Sequence, residues 1–165
     1  MFFLIFSDSH GRAEAMQRAL DRQISPPHAI FFLGDGLRDL DTLRLAGVPV
    51  YSVRGNCDWF SAFDHTPTEQ LIRLGGLRIL LTHGHLYGVK SGYGALAMHA
   101  TRQDADIALF GHTHLPYAES IPKGTLSEAQ RHPIELFNPG SIGVEGSFGV
   151  LTIQNGKALL SHGQI

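Results

Sequence analysis

Five short apolar runs in this chain each break off at a turn carrying Asp, Asn or His. Phe2 to Phe6 stops at Ser7-Asp8-Ser9-His10-Gly11, Ala29 to Leu33 at Gly34-Asp35-Gly36, and Val48 to Val53 at Arg54-Gly55-Asn56-Cys57-Asp58. Leu77 to Thr82 stops at His83-Gly84-His85, and Ile107 to Phe110 at Gly111-His112-Thr113-His114, where Gly111 is expected to permit a sharp turn. Apolar runs of this length fit buried strands better than helices. Loops at the carboxyl ends of strands in an open α/β sheet share one edge, so turns far apart in sequence can surround one site. The fold must satisfy that convergence.

The intervening segments supply the crossovers. Ala13, Met16, Leu20 and Ile24 recur at helical spacing until Pro26-Pro27, and Leu37, Leu40 and Leu43 predict a short helix closed by Gly47. Strands alternating with helices imply βαβ units and a mostly parallel sheet. Beyond Glu69 the rhythm changes: Gly75-Gly76 marks a hairpin, Tyr93 to Gln103 an Ala-rich helix, and Asn155-Gly156 a terminal hairpin. Tyr117 to Ile121 and Ile134 to Phe137 read as strands, the second leading into Asn138-Pro139-Gly140-Ser141. The polar segment 122–133 is expected to lie over the site or in an oligomer contact, because long irregular segments in compact domains are often functional.

A length of 165 residues is read as one domain, 1–165, able to bury its core unaided. The single cysteine, Cys57, excludes an intrachain disulfide and fits a reducing, cytoplasmic setting. Met1 to Phe6 is too short for a signal sequence, and no apolar run reaches membrane-span length. A net charge of -2 with scattered basic residues argues against long nucleic acid and leaves small phosphate esters open. Of the ten histidines, five crowd into the turns; His28, His65, His99, His132 and His162 are scattered and are read as structural or surface residues.

Each turn has an ordinary explanation when taken alone. Asp8 or Ser9 could cap the helix that begins near Arg12, Asp35 could serve a glycine turn, Asn56 could occupy a left-handed position, and His83 and His85 could be a satisfied loop pair. Five such turns, all at strand ends, point instead to a shared ligand set. Two carboxylates, an amide oxygen and four imidazoles without thiolate suit Mn, Fe, Zn, Ni or Co better than Mg or Ca. Seven groups serve two ions about 3.5 to 4 Å apart more economically than one, if a carboxylate bridges.

In this order, Asp8-x-His10, Gly34-Asp35, Gly55-Asn56-x-Asp58, His83-Gly84-His85 and Gly111-His112-x-His114 resemble the calcineurin-like metallophosphoesterases. The size and the Gly-Asn-Cys-Asp turn look most like their compact bacterial phosphodiesterase branch, the YfcE-like group. The resemblance implies an α/β fold, a two-sheet β-sandwich flanked by helices in four αββα layers, with a dinuclear centre at the strand ends. Asp8, His10 and His114 would bind one divalent ion, Asn56, His83 and His112 the other, and Asp35 would bridge them. Manganese leads the metals so implied, and a bridging hydroxide would attack the phosphorus of a small phosphate ester.

His85 is not a ligand in that pattern and is expected to orient a ligand or the substrate. Cys57 stands where many members of the wider superfamily carry a histidine that protonates the leaving group, so easily departing groups or another donor such as His85 are expected. Asp58 would orient water or a neighbouring turn. The turn at Asp35 lacks the Gly-Asp-x-x-Asp-Arg-Gly pattern of protein serine/threonine phosphatases, which argues against that activity. The competing readings are a phosphomonoesterase and a non-catalytic metal-bound scaffold, since a retromer subunit shares the resemblance. A homo-oligomer is compatible with all of them.

Overall fold

The computed structural model describes residues 1–59 and 65–165. Its strands are β1 (Phe2–Phe6), β2 (Ala29–Phe32), β3 (Val50–Ser52), β4 (Glu69–Leu74), β5 (Leu77–Thr82), β6 (Ile107–Leu109), β7 (Pro116–Ile121), β8 (Ile134–Pro139), β9 (Ser147–Gln154) and β10 (Lys157–Gln164). The α-helices are α1 (Ala13–Asp21) and α2 (Gly94–Arg102), with 3₁₀ turns at Leu37–Thr42 and His85–Tyr87.

Two five-stranded sheets form, in the orders β10-β9-β1-β2-β3 and β4-β5-β6-β8-β7. Neither is mostly parallel. β1, β2 and β3 run parallel, as do β5, β6 and β8, and each trio carries antiparallel neighbours. The β4–β5 and β9–β10 pairs come from hairpins, whose short turns permit no crossover, whereas β7 and β8 are joined through 122–133 and β9 pairs with the distant β1. At the β4–β5 turn, Gly75 and Gly76 both take positive φ, and so do Asn155 and Gly156 at the last hairpin, as tight two-residue turns require.

Side-chain alternation produces four layers. Phe3 and Ile5 of β1, Phe31 of β2, Ile79 and Leu81 of β5 and Leu109 of β6 fill the space between the sheets. Leu4, Phe6, Ile30 and Phe32 face the other way, onto Met16 and Ala19 of α1. Leu80, Ala108 and Leu136 meet Leu96, Ala97 and Ala100 of α2. Strands buried on both faces explain why the runs are continuously apolar instead of alternating. Helix α1 ends earlier than its apolar spacing predicts: Ile24 lies beyond Asp21 and is fully exposed. Burial, not periodicity, decides that boundary.

Candidate metal centre

The parallel trios aim their carboxyl ends at one edge, and hydrogen bonds stitch the resulting turns together across the sheets. Asp8 N donates to Gly34 O at 3.0 Å, Gly111 N to His83 O at 3.1 Å, and Gly143 N to Asp8 O at 3.3 Å. His112 N, from the second sheet, donates to Asp8 Oδ2 at 3.0 Å. Asp8, His10, Asp35, His112 and His114 all have φ between 46° and 69°. A left-handed residue other than glycine costs roughly 1–2 kcal/mol, so the surrounding bonds must hold these turns in place.

Gly111 serves this arrangement differently from the sharp turn expected of it. Its φ is not positive; a Cβ there would lie 1.9 Å from Ser7 Oγ and 2.8 Å from Asp8 Oδ2. The missing side chain lets the Asp8 loop approach. His112 and His114 make the left-handed steps themselves.

Two trios of donor atoms result. In one, Asp8, His10 and His114 place their ligand atoms within 4.8 Å of one another; in the other, Asp35, His83 and His112 do the same. His114 Nε2 lies 3.2 Å from Asp8 Oδ1 and from His10 Nε2, and His83 Nε2 lies 3.3 Å from Asp35 Oδ2. His83 Nε2 is also 3.9 Å from Asp8 Oδ1, which brings the trios side by side.

The hydrogen bonds leave specific atoms free. Asp8 Oδ2 accepts from Ser7 Oγ at 2.5 Å and from His112 N, while Oδ1 is buried without a hydrogen-bond partner among the described residues. His83 Nδ1–H donates to Leu33 O at 2.7 Å, which aims a buried and equally unpartnered Nε2 at the carboxylates. A buried carboxylate oxygen and a buried imidazole nitrogen 3.9 Å apart, both without hydrogen bonds among the described residues, are suited to hold a cation, and the carbonyl behind His83 is the kind of support that fixes a metal-binding ring. The residues present therefore fit a divalent ion.

The protonation pattern follows from these contacts. Burial works to raise the Asp35 carboxyl, but the His83 ring 3.3 Å away and the Cys57 amide hold it well below the ordinary range. Burial also favours neutral His83, yet Asp35 and Asp8 outweigh it and raise its pKa. Burial and the charge of His83 lower His112 to about 4 and lower His85 as well. Both rings are thereby kept neutral at pH 7, the form His112 needs as a ligand.

The other expected site residues occupy distinct places. Asn56 is exposed and donates from Nδ2 to Cys57 Sγ at 3.3 Å; its φ is not positive, so it does not take the left-handed role considered for it. The His85 ring lies 5.4 Å from that of His83 and 6.1 Å from that of His112, with a buried, unpartnered Nδ1. Asp58 accepts from the backbone N–H groups of Asp35, Gly36, Leu37 and Gly55, at 2.7 to 3.0 Å. It braces the neighbouring turn. Cys57 N donates to Asp35 Oδ1 at 2.7 Å, while burial and the nearby carboxylates push its thiol up to about 11.

The capping explanation of Asp8 and Ser9 does not hold, because α1 has no side-chain cap: Ser9 Oγ turns instead to Asp39 Oδ2 at 2.5 Å. No local sequence signal marks Asp39 for this role. Asp39 also accepts from Gly11 N at 2.9 Å and steadies the His10 turn. Ser141 and Asn138 likewise brace the turns, through Ser141 Oγ to Asp8 O at 2.8 Å and Asn138 Nδ2 to Gly111 O at 2.8 Å. Their signal in the sequence was a sixth apolar run ending in a polar turn. Segment 122–133 does not lie over the site. It joins the Ile121–Ile134 end of the β7–β8 pair, whereas the turns gather at the Pro116–Pro139 end.

A family profile for the calcineurin-like phosphoesterase superfamily domain matches residues 1–163. The chain belongs to that superfamily. Among calcineurin-like phosphoesterases it is similar to the probable metallophosphoesterase YsnB of Bacillus subtilis, with 34% identity over 163 residues, 96% of this chain and 88% of the relative. It is also similar to phosphodiesterase YfcE of Escherichia coli, with 31% identity over 177 residues, 92% of this chain and 87% of the relative. These likenesses support the YfcE-like branch. A solved predicted phosphoesterase from Streptococcus pneumoniae matches with TM-score 0.76 and 27% identity, covering 99% of this chain and 88% of the other. Zinc-complexed Vps29 from Entamoeba histolytica matches with TM-score 0.70 and 25% identity over 99% of both chains. The expected two-sheet sandwich with flanking helices is the fold of this family.

Proposed function

We propose that this metallophosphoesterase hydrolyses small or activated phosphodiesters at two divalent transition-metal ions, manganese first among them. The observation that carries the reading is the pair of adjoining trios, with Asp8 Oδ1 and His83 Nε2 buried between them and unpartnered. Asp8, His10 and His114 would hold one ion, His83, His112 and Asn56 the other, and Asp35 both. Ions so held would supply a deprotonated water as nucleophile and positive charge for the phosphoryl oxygens. The zinc-complexed Vps29 and the phosphodiesterase name of YfcE support the same reading.

The chain's own groups prepare that chemistry. Ser7 and His112 N orient Asp8, Leu33 O orients His83, and Asp58 fixes the Asp35 turn. Neutral His85, beside His83 and His112, would accept or donate a hydrogen bond to the ester. Cys57 holds its proton too tightly at about pKa 11 to serve as an efficient acid, so an activated leaving group suits the site.

The test is hydrolysis of bis-p-nitrophenyl phosphate. Chelation should stop it and Mn²⁺ or Ni²⁺ restore it; full activity in metal-stripped Asp35→Asn protein overturns the reading. Faster turnover of p-nitrophenyl phosphate than of the diester would make the chain a phosphomonoesterase. Bound metal without turnover of either ester would leave the scaffold.

A further inference from the structure

We propose that Cys57, together with His10 and Asp35, forms a sulfur-containing site that captures thiophilic ions such as Zn²⁺ or Cd²⁺ in competition with the oxygen–nitrogen trios. The inference rests on the reading that those trios hold the hydrolytic metal. Its basis is geometric. The donor atoms of His10, Asp35 and Cys57 lie within 4.8 Å of one another, a third convergence beside the two already described.

Asp35 faces both ways. Its Oδ2 lies 3.3 Å from His83 Nε2, while its Oδ1 accepts from the backbone N–H of Cys57 at 2.7 Å. His10 is shared in the same manner, with Nε2 3.2 Å from His114 Nε2 and 3.8 Å from Asp8 Oδ1. An ion held by Cys57 thus withdraws one ligand from each trio. Two fully buried, unpartnered atoms adjoin the cluster, Asp8 Oδ1 next to His10 and His83 Nε2 next to Asp35, so the neighbourhood is short of a cation.

Space and access agree with the donors. His10, Asp35 and Cys57 line one cavity of about 210 Å³. A water takes about 30 Å³ of liquid volume, so the cavity admits an ion and a solvent ligand to complete a tetrahedron. Cys57 is exposed, so the ion can arrive from solvent, and Asn56 Nδ2 donates to its sulfur.

Ligand softness sets the selectivity. A nitrogen, a carboxylate oxygen and a thiolate form an ordinary zinc set, whereas manganese favours harder oxygen ligands over thiolate. On capture the Cys57 S–H bond breaks, its proton passes to solvent and a metal–sulfur bond forms, with no change in oxidation state.

The test uses the full chain loaded with Co²⁺ or Cd²⁺ and its Cys57→Ser variant. A thiolate-to-metal charge-transfer band in the ultraviolet is expected in the wild-type protein and absent from the variant. Labelling of Cys57, the only cysteine, by a disulfide reagent should slow about tenfold or more with Cd²⁺ and not with Mn²⁺, since metal-bound thiolate is withdrawn from exchange. Cd²⁺ should also inhibit Mn²⁺-supported hydrolysis in the wild type to a greater fraction than in Cys57→Ser, each measured against its own Mn²⁺ rate. Equal labelling with and without Cd²⁺, or a charge-transfer band that survives Cys57→Ser, overturns the proposal. Mn²⁺-supported diester hydrolysis reports separately on the phosphoesterase reading, so the failure of one is distinguishable from that of the other.

Discussion

Two groups of histidines and carboxylates sit at opposite ends of the second sheet, and they behave differently. At the far end, His132 Nε2 lies 3.2 Å from Asp104 Oδ1 and its Nδ1 3.5 Å from Asp106 Oδ1, while Arg78 reaches Asp104 at 3.4 Å. These groups are half-exposed and their acceptors are paired; among the described residues the one buried atom there without a partner is a donor, Arg78 Nε. At the near end, the unpartnered atoms include a carboxylate oxygen and a ring nitrogen, both fully buried. Residue types alone do not make a metal centre. What distinguishes one is a buried lone pair that the protein leaves unsatisfied on the side where an ion would sit.

The sharpest way to break this contrast is to alter one carboxylate at each end. Asp35→Asn should lower metal-supported diester hydrolysis by several kcal/mol, about a thousandfold, whereas Asp106→Asn should leave kcat/KM unchanged. Steady-state kinetics with and without added Mn²⁺ checks both.

Asp58→Ala tests whether the near end depends on its brace. Four backbone N–H groups would lose their acceptor, and leaving buried donors unsatisfied costs about 1–3 kcal/mol each at most, partly relieved by water. We expect a loss of about 3 kcal/mol in urea unfolding, with weaker Mn²⁺ binding by calorimetry. Gly111→Ala should cost about 2 kcal/mol, since the new methyl must push Ser7 or Asp8 aside. Here the loss of metal affinity should exceed what the small drop in stability implies.

The far end should show the smallest effect. The Pro133 carbonyl, Asp104 and Asp106 raise the pKa of His132 above 6.5 despite opposing burial. Its contribution is therefore fully present below pH 6.5 and is lost as pH rises through the raised value. Solvent screening keeps the contribution under about 1 kcal/mol. His132→Asn should lower Tm slightly at acid pH, less at alkaline pH, and leave hydrolysis intact; a large loss of activity would erase the distinction between the two ends.

Much of this architecture was readable in the chain because the strands are buried on both faces and stop abruptly. Hairpins at Gly75-Gly76 and Asn155-Gly156 were readable for a local reason, the positive φ that each turn demands. The apolar spacing of α1 runs on to Ile24, beyond the helix end at Asp21, where no layer is left to pack against. The placement of segment 122–133 also escaped, since only the β7–β8 register shows which end of the sheet it joins. Asp39 and Ser141 were missed as supports because their partners, Ser9 and Asp8, are distant in sequence.

Residue order alone determined which turns carry ligand-type side chains, since apolar runs and their breaks are local properties of the chain. Tertiary structure decided how those side chains divide. It assigns His112 to Asp35 and His83 but His114, two residues on, to Asp8 and His10, and it draws Cys57 toward His10 and Asp35. The reason is that ligand geometry depends on hydrogen bonds between turns of different sheets, and such bonds exist only once both layers have packed on their common core.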